Sequence, residues 1–331
     1  MGKNCRIIIV ASFEVFNEVA KMLKYSLKEI GFDKIVIEDS KESNIREYYD
    51  LNIVIKALRP YPDERNINGY KVLFQTEELW NRRERGFYDL SSGYDKVLEM
   101  YDENVRIPNG TKNVVYCPVG WSPVFENNLK IPENQDIDVL FWGSGTDRRK
   151  QFEKVLIKEG YNCRFYMNKS LFGNEREELI MRSKIILNIK AHDKWSFGPI
   201  HCLPAIANNK FILTEKANGG YGPFVPNRHF IEYNGINDLL KKLKYWLPKD
   251  EERYIFSSKA LDLVKKECNF TDIFKKSLNF NIDINNKLII EKTKRIDNNI
   301  FNIIPGMSTW VDTTPDYKTS YYKYIKSLEK K

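Results

Sequence analysis

The sequence has few of the residues that build metal or disulfide sites. Its five cysteines are widely spaced and form no CxxC pair, and only three of its 331 residues are histidine. A CxxC pair is the usual mark of a structural zinc site, so no such site is expected. An odd number of dispersed cysteines indicates reduced, mostly buried thiols and hence a cytoplasmic location.

Long apolar runs are also missing. No stretch approaches the roughly 18 apolar residues that a membrane helix needs. The short apolar run near the amino terminus, Arg6–Val10, is typical of a buried strand rather than of a signal peptide.

The formal net charge is +8. One interpretation is that this charge belongs to a lysine-rich surface that is simply solvated. The alternatives are that the charge attracts phosphorylated ligands, an anionic membrane surface or nucleic acid.

Several chemistry-bearing motifs are absent as well. The first strand is followed by Ala11, Ser12 and Phe13 instead of a GxGxxG motif, which disfavours a dinucleotide fold of the usual kind. No DxD motif stands at the end of a predicted strand, which argues against a metal-bridged diphosphate. No helix-turn-helix, zinc finger or RNP strand is present either. We therefore predict no metal and no cofactor.

Short apolar runs instead alternate with segments of helical spacing along most of the chain. This alternation predicts the α/β class with two doubly wound sheets. The segment Cys117–Pro123 contains two prolines and a glycine, which can continue neither a strand nor a helix. We therefore expect a first domain over 1–123, a linker over 124–136 and a second domain over 137–280. The remaining 281–331 would be an extension that packs back on the first domain.

The stretch 183–233 predicts a βαβ unit with a polar edge. Ile185–Ile189 and Phe211–Thr214 have the composition of buried strands, and Cys202–Ala207 can form the helix between them. Ligands of open parallel sheets bind beyond the carboxyl ends of the strands. The candidate binding residues here are Asn188, Lys190, His192, His201, Glu215, Gly219 and Gly220. A carboxylate at Glu215 could accept hydrogen bonds from ligand hydroxyls, and the glycines would let backbone N–H groups approach ligand oxygens.

An anion site is predicted at the start of the second domain. A strand over Ile137–Trp142 runs into a turn of small residues and then a helix, and the candidate residues are Gly143, Ser144, Gly145, Thr146, Arg148 and Arg149. The free N–H groups of a helix start favour an anion, and arginine adds paired hydrogen bonds. We expect Arg149 to be exposed, so that its loss barely changes stability.

Four segments together resemble the CgeB-like (spore-maturation type) glycosyltransferases, which belong among the group 1 glycosyltransferases of the GT-B fold. They are VLFQTEEL at 72–79, VYCPVGWSP at 115–123, IDVLFWGSGTDRR at 137–149 and the segment Leu187–Glu215. The resemblance covers about Arg6 to Lys276. It implies two Rossmann-like domains facing across a cleft. It also implies transfer of a hexose from a nucleotide-diphosphate sugar to a sugar, lipid-linked or protein acceptor.

With that resemblance, roles can be assigned to single residues. Arg148 and Arg149 would neutralise the donor diphosphate, so that loss of Arg149 lowers kcat. Glu215 would accept both ribose hydroxyls, and Gly219 and Gly220 would let backbone N–H groups approach phosphate or sugar oxygens. Glu77 or Glu78, which follow a strand of the first domain, would be the general base on the acceptor hydroxyl. Salt bridging with nearby arginines is the alternative for these two glutamates. The chain departs from the family where a glutamate and an arginine are usual, because it has Gly198 and His201 there.

Two other functions stay open. The basic surface would suit a DNA base glucosyltransferase of the phage type, with nucleic acid as the acceptor. The missing carboxylate at Gly198 would suit a non-catalytic protein that binds a nucleotide or a sugar. A cytoplasmic location, with or without peripheral membrane contact, fits each of the three.

Overall fold

The structure, a computed structural model, describes residues 3–10, 13–56, 64–77, 93–105, 114–127, 129, 132, 134–167, 171–191, 197–217, 221–278, 280–282 and 288–290. The chain forms two compact units, which divide between Val124 and Phe125 and again between Cys268 and Asn269.

The first unit contains a six-stranded sheet. Its strands are β1 (Asn4–Val10), β2 (Lys34–Asp39), β3 (Leu51–Lys56), β4 (Tyr70–Gln75), β5 (Lys96–Glu99) and β6 (Val114–Tyr116). Their order is β2-β1-β3-β4-β5-β6, and every neighbouring pair is parallel. The residues of β3 are all buried, as expected for a strand inside a parallel sheet that is covered on both faces.

Two helices of this unit follow strands directly. Helix α1 (Phe13–Glu29) buries Val19, Leu23 and Leu27, which recur at the spacing of one helix face. Helix α2 (Asp102–Val105) is a single turn after β5. Two short 3₁₀ turns lie at Glu64–Asn66 and Pro123–Phe125.

The second unit contains a five-stranded parallel sheet. Its strands are β7 (Ile137–Gly143), β8 (Cys163–Met167), β9 (Ser183–Asn188), β10 (Ile212–Glu215) and β11 (Ile231–Tyr233). The helices of this unit are α3 (Asp147–Lys158), α4 (Gly173–Arg182), α5 (Pro199–Ala207), α6 (Gly235–Trp246) and α7 (Asp250–Glu267). The strand order is β11-β10-β9-β7-β8. The predicted βαβ unit is present as β9, α5 and β10. Inward side chains of the strands form the core with Leu239 and Leu243 of α6.

Both sheets share one topology. In each, the second strand in chain order lies on one side of the first strand and the third lies on the other. The strand order therefore reverses between β1 and β3 in the first sheet and between β7 and β9 in the second. Ligands of doubly wound sheets bind at this reversal, beyond the carboxyl ends of the two strands. The predicted α/β class with two parallel sheets is confirmed.

The end of the second domain differs from the prediction. Helix α8 (Phe270–Leu278), which we placed in 137–280, belongs to the first unit. The Phe270 N–H donates to the Trp121 carbonyl at 2.9 Å, and the Lys96 ammonium donates to the carbonyls of Ser277 and Leu278 at 3.2 and 2.8 Å. The apolar spacing of a helix reveals its buried face but not which of two sheets covers that face.

Little of the predicted extension is described. The strands β12 (Phe280–Ile282) and β13 (Leu288–Ile290) form an antiparallel pair, and the rest of 281–331 lies outside the described residues. Within the described part of the chain, no helix is long and apolar enough to cross a membrane.

Candidate functional site

The carboxyl edge of the second sheet carries most of the predicted site residues. We call the residues at the reversal between β7 and β9 the switch-point site, defined as Gly143–Arg149, Asn188–Lys190 and Glu215. The first group follows β7, the second ends β9 and the last ends β10. Residues that are as much as 72 positions apart in sequence therefore meet at one edge of the sheet.

The turn after β7 is built for close approach. Gly143 has a φ of +151°, and a Cβ atom there would lie 3.2 Å from both Arg149 Nη1 and Phe141 Cζ. Only glycine fits without displacing these neighbours. Thr146 then caps α3, because its hydroxyl accepts a hydrogen bond from the Arg149 N–H at 3.3 Å. The turn and the helix start are thus held in one defined geometry.

Arg149 is buried rather than exposed, so the expectation of an exposed residue is wrong. Only 8% of it is accessible. Its Nε and Nη2 groups donate to the Ile189 carbonyl at 3.0 and 2.7 Å, and its Nη1 group donates to the Ser144 carbonyl and hydroxyl at 2.8 Å each. Burial lowers the pKa of Arg149 to about 10, so it stays charged at neutral pH. The guanidinium ties the turn after β7 to the end of β9.

Arg148 occupies the accessible side of the same helix turn. Its side chain is 27% exposed and forms a two-pronged ion pair with Glu215, with 2.7 Å between Nη1 and Oε2. Nη1 also donates to the Lys190 carbonyl at 3.2 Å. The Glu215 side chain is only 7% exposed, and its Oε2 accepts the Lys190 N–H at 3.1 Å. Two side chains that we predicted to contact different parts of a ligand therefore contact each other.

The end of β9 is fixed by its own hydrogen bonds. The Asn188 amide donates to the Thr214 hydroxyl at 3.0 Å, and the Asn188 carbonyl accepts the Tyr233 hydroxyl at 3.0 Å. Lys190 is buried, and its main-chain N–H and carbonyl contact Glu215 and Arg148 respectively. These hydrogen bonds connect the end of β9 to β10 and β11.

His201 packs as an aromatic residue beside the site. Its ring lies 4.5 Å from the ring of Trp142 and 5.8 Å from that of Phe141, measured between centroids. Burial, and then the charges of Arg149 and Arg176, lower the pKa of His201 to about 3. The imidazole is therefore neutral at physiological pH and cannot replace the charge of the arginine that the resemblance implies here. Its Nε2 atom is buried and has no hydrogen-bond partner among the described residues.

In the first unit, the main chain of Glu77 is fixed on both sides. The Gln75 side-chain carbonyl accepts the N–H groups of Thr76 and Glu77 at 2.9 and 3.3 Å. The Asn104 amide donates to the Glu77 carbonyl and to the buried Glu99 carboxylate, each at 2.8 Å. Sequence reasoning missed Gln75, Glu99 and Asn104. A polar residue at the end of an apolar strand, such as Gln75 or Glu99, was the available signal.

Four predicted site residues lie outside the described residues: Glu78, His192, Gly219 and Gly220. Over the described part of the chain, no group of three His, Cys, Asp or Glu side chains is placed to hold a metal ion. Independence from metal stays a prediction.

Residues 128–278 match the family model described as glycosyl transferase-like. This match spans the switch-point site and somewhat less than half of the chain. No curated protein sequence matches the chain.

Solved structures with the same fold include several glycosyltransferases. A glycosyltransferase from Rickettsia africae has a TM-score of 0.57 at 12% identity, and the alignment covers 84% of this chain and 99% of that one. Anabaena HepE in complex with UDP and glucose has a TM-score of 0.55 at 8% identity, covering 82% and 97%. Staphylococcus aureus TarM has a TM-score of 0.50 at 12% identity, covering 69% of this chain and 54% of TarM, so the alignment spans about half of TarM. At such identities the likeness shows the fold.

Proposed function

We propose that the protein is a metal-independent glycosyltransferase that transfers a hexose from a nucleotide-diphosphate sugar, and that the switch-point site holds this donor. The observation that carries the proposal is the geometry of that site. It places the start of α3, the partly exposed Arg148 and the carboxylate of Glu215 at the reversal of strand order. A helix start with an arginine favours phosphate, and a carboxylate favours sugar hydroxyls.

The matched family and the fold support this proposal. The match to the glycosyl transferase-like model covers the whole switch-point site. HepE, which shares the fold, was crystallised with UDP and glucose. Membership of the CgeB-like subtype rests on the sequence resemblance, and the acceptor would be a sugar, a lipid-linked sugar or a protein.

The reaction would use the site as follows. The acceptor oxygen attacks the anomeric carbon while the bond from that carbon to the diphosphate oxygen breaks, and the bonding electrons leave with the diphosphate. Arg148 and the N–H groups of α3 stabilise the charge that develops there, in place of a metal ion. In an inverting transfer, Glu77 would accept the proton of the acceptor hydroxyl. Arg149 would hold the turn in place without contacting the donor.

Donor hydrolysis tests the proposal without knowledge of the acceptor. The protein is incubated with UDP-, GDP- and ADP-linked sugars, and release of the nucleoside diphosphate is followed. We expect slow release from one of them, lowered about 100-fold by Arg148→Ala, in line with the loss of one preorganised donor. Release at the same rate in Arg148→Ala would place the donor elsewhere, and no release from any of them would remove the support for an enzyme.

A non-catalytic binding protein is the second candidate. Two positions favour it, because the resemblance places a glutamate and an arginine where this chain has Gly198 and a neutral His201. Tight binding of a nucleotide sugar without turnover over hours would favour this candidate.

A further inference from the structure

The ion pair between Arg148 and Glu215 lies where the donor is proposed to bind. Both prongs of the guanidinium face the carboxylate, and each partner has one further contact with the main chain of Lys190. The two side chains differ in exposure, because Arg148 is 27% exposed and Glu215 is 7% exposed. A ligand that approaches from solvent therefore reaches Arg148 first and finds its charge already neutralised.

We propose that Glu215 is a specificity-determining residue that withholds Arg148 from ligands with phosphate groups but no adjacent hydroxyl groups. This inference rests on the proposed function, since it takes the switch-point site as the donor site. The ligand class that it selects is a nucleoside diphosphate. Inorganic phosphate and inorganic diphosphate are the classes that it rejects.

The energetic reason is the burial of Glu215. A phosphate that draws Arg148 away takes both prongs of the ion pair from this carboxylate and leaves the hydrogen bond from the Lys190 N–H in place. An unpaired charge in a buried position is strongly unfavourable, so the exchange is resisted. A ligand whose hydroxyls lie next to its phosphates avoids this penalty, because the hydroxyls donate to the carboxylate as the guanidinium leaves. The phosphate groups and the hydroxyl groups of such a ligand therefore bind cooperatively.

Arg149 cannot bind the phosphate in place of Arg148. Its Nε, Nη1 and Nη2 groups all donate to carbonyl or hydroxyl oxygens of Ser144 and Ile189. Turning it toward a ligand would break these contacts and take both Arg149 hydrogen bonds from the carbonyl of the buried Ile189. Arg148 is thus the guanidinium that can exchange between Glu215 and a phosphate.

Calorimetric titration with separate fragments tests this inference. Two probes are used, namely UDP and inorganic diphosphate, against wild type and Glu215→Gln. We expect Glu215→Gln to bind inorganic diphosphate about 10-fold or more tightly than wild type, because losing an opposite-charge partner frees a guanidinium for phosphate. We also expect it to bind UDP less tightly, because the hydroxyls lose their charged acceptor.

Two control variants separate this effect from a change in net charge. Glu159→Gln removes an exposed carboxylate at the far end of α3, and its affinity for diphosphate should equal that of wild type. Adding Arg148→Ala to Glu215→Gln should abolish the gain. Thermal melting confirms folding, and Glu215→Asp, which keeps the charge but is too short for the two-pronged pair, replaces the glutamine variant if that one does not fold.

The outcomes keep the two proposals apart. Unchanged or weaker diphosphate binding in folded Glu215→Gln, with UDP still bound by wild type, overturns the inference and leaves the proposed function standing. Wild type that binds neither UDP nor any donor sugar of the hydrolysis panel overturns the proposed function. In that case a gain in diphosphate affinity in Glu215→Gln still supports the competition between Glu215 and phosphate, and its absence refutes it.

Discussion

Arg148 and Arg149 are adjacent in sequence and differ in their environment. Arg148 is partly exposed and forms an ion pair with Glu215. Arg149 is buried and donates four hydrogen bonds to protein oxygens. The sequence showed two arginines at a helix start but could not show which one points inward. That choice depends on the glycine at 143, which lets the turn approach the second arginine closely.

Replacing Arg149 should destabilise the protein. In Arg149→Ala the carbonyls of Ile189 and Ser144 lose their charged donor, so we expect the free energy of unfolding to fall by roughly 2–4 kcal/mol. Arg149→Lys should recover only part of this, because an ammonium cannot reproduce the planar fork. Urea denaturation measures both. The control is Lys150→Ala, an exposed residue on the same helix with a surface ion pair, which should change stability by less than about 1 kcal/mol. An Arg149→Ala variant as stable as that control would contradict the account.

Glu77 offers a test in the first unit. Its main chain is fixed by Gln75 and Asn104, which is the arrangement expected around a side chain that must be held precisely oriented. Glu77→Gln should lower kcat by roughly 10²- to 10⁴-fold if it is the general base, with nucleotide affinity unchanged. Steady-state turnover and titration with UDP separate the two quantities. Asn104→Ala should lower kcat less than this. A Glu77→Gln variant with wild-type kcat would move the base elsewhere.

At the scale of elements, strand and helix positions follow closely from hydrophobic periodicity. The predicted strands at Arg6–Val10 and Ile137–Trp142 are both present, because buried parallel strands require continuous apolar runs. The polar residues that follow β9 and β10 lie at one edge of the sheet, as the order of strands and helix along the chain predicts. Contacts between distant segments do not. Neither the ion pair of Arg148 with Glu215 nor the packing of α8 on the first unit leaves a pattern in local sequence.

The buried Lys210 makes the free energy of unfolding depend on pH. Lys210, between α5 and β10, is buried and donates to the Met181 carbonyl at 2.9 Å at the end of α4. Burial, followed by the charge of Arg253, lowers the pKa of Lys210 to about 7. An unfolded chain holds this proton up to its ordinary pKa near 10.5. Above pH 7 the unfolded state therefore binds more protons, and the free energy of unfolding should rise with pH.

Comparison with Lys210→Met isolates this contribution. Between pH 7 and pH 9 the stability of wild type should rise relative to the variant by roughly 1–3 kcal/mol, since a full proton corresponds to about 1.4 kcal/mol per pH unit. Chemical denaturation of both proteins across this range measures it. A stability difference that stays flat, or shrinks as the pH rises, would mean that Lys210 keeps an ordinary pKa in the folded protein.

At the scale of the whole molecule, the net charge of +8 is the feature that the proposed donor site does not explain. If the acceptor were DNA, phosphate contacts would release counterions, and affinity would fall steeply between about 50 and 200 mM salt. We expect the charge to serve as a solvated surface, and hence weak DNA binding with no such steep fall. Fluorescence titration with a labelled duplex at both salt concentrations decides this, and a loss of affinity of roughly 100-fold or more would favour the DNA acceptor.

The central claim is that the second unit binds a nucleotide-diphosphate sugar at the reversal between β7 and β9. Calorimetric titration of wild type and Arg148→Ala with UDP-, GDP- and ADP-linked sugars tests it most directly. The account predicts that one of these donors binds wild type at submillimolar concentration, and that Arg148→Ala binds the same donor about 10-fold or more weakly, the loss expected for a charge-assisted phosphate contact. Absence of binding by every donor at millimolar concentration, or equal binding by both proteins, would contradict it.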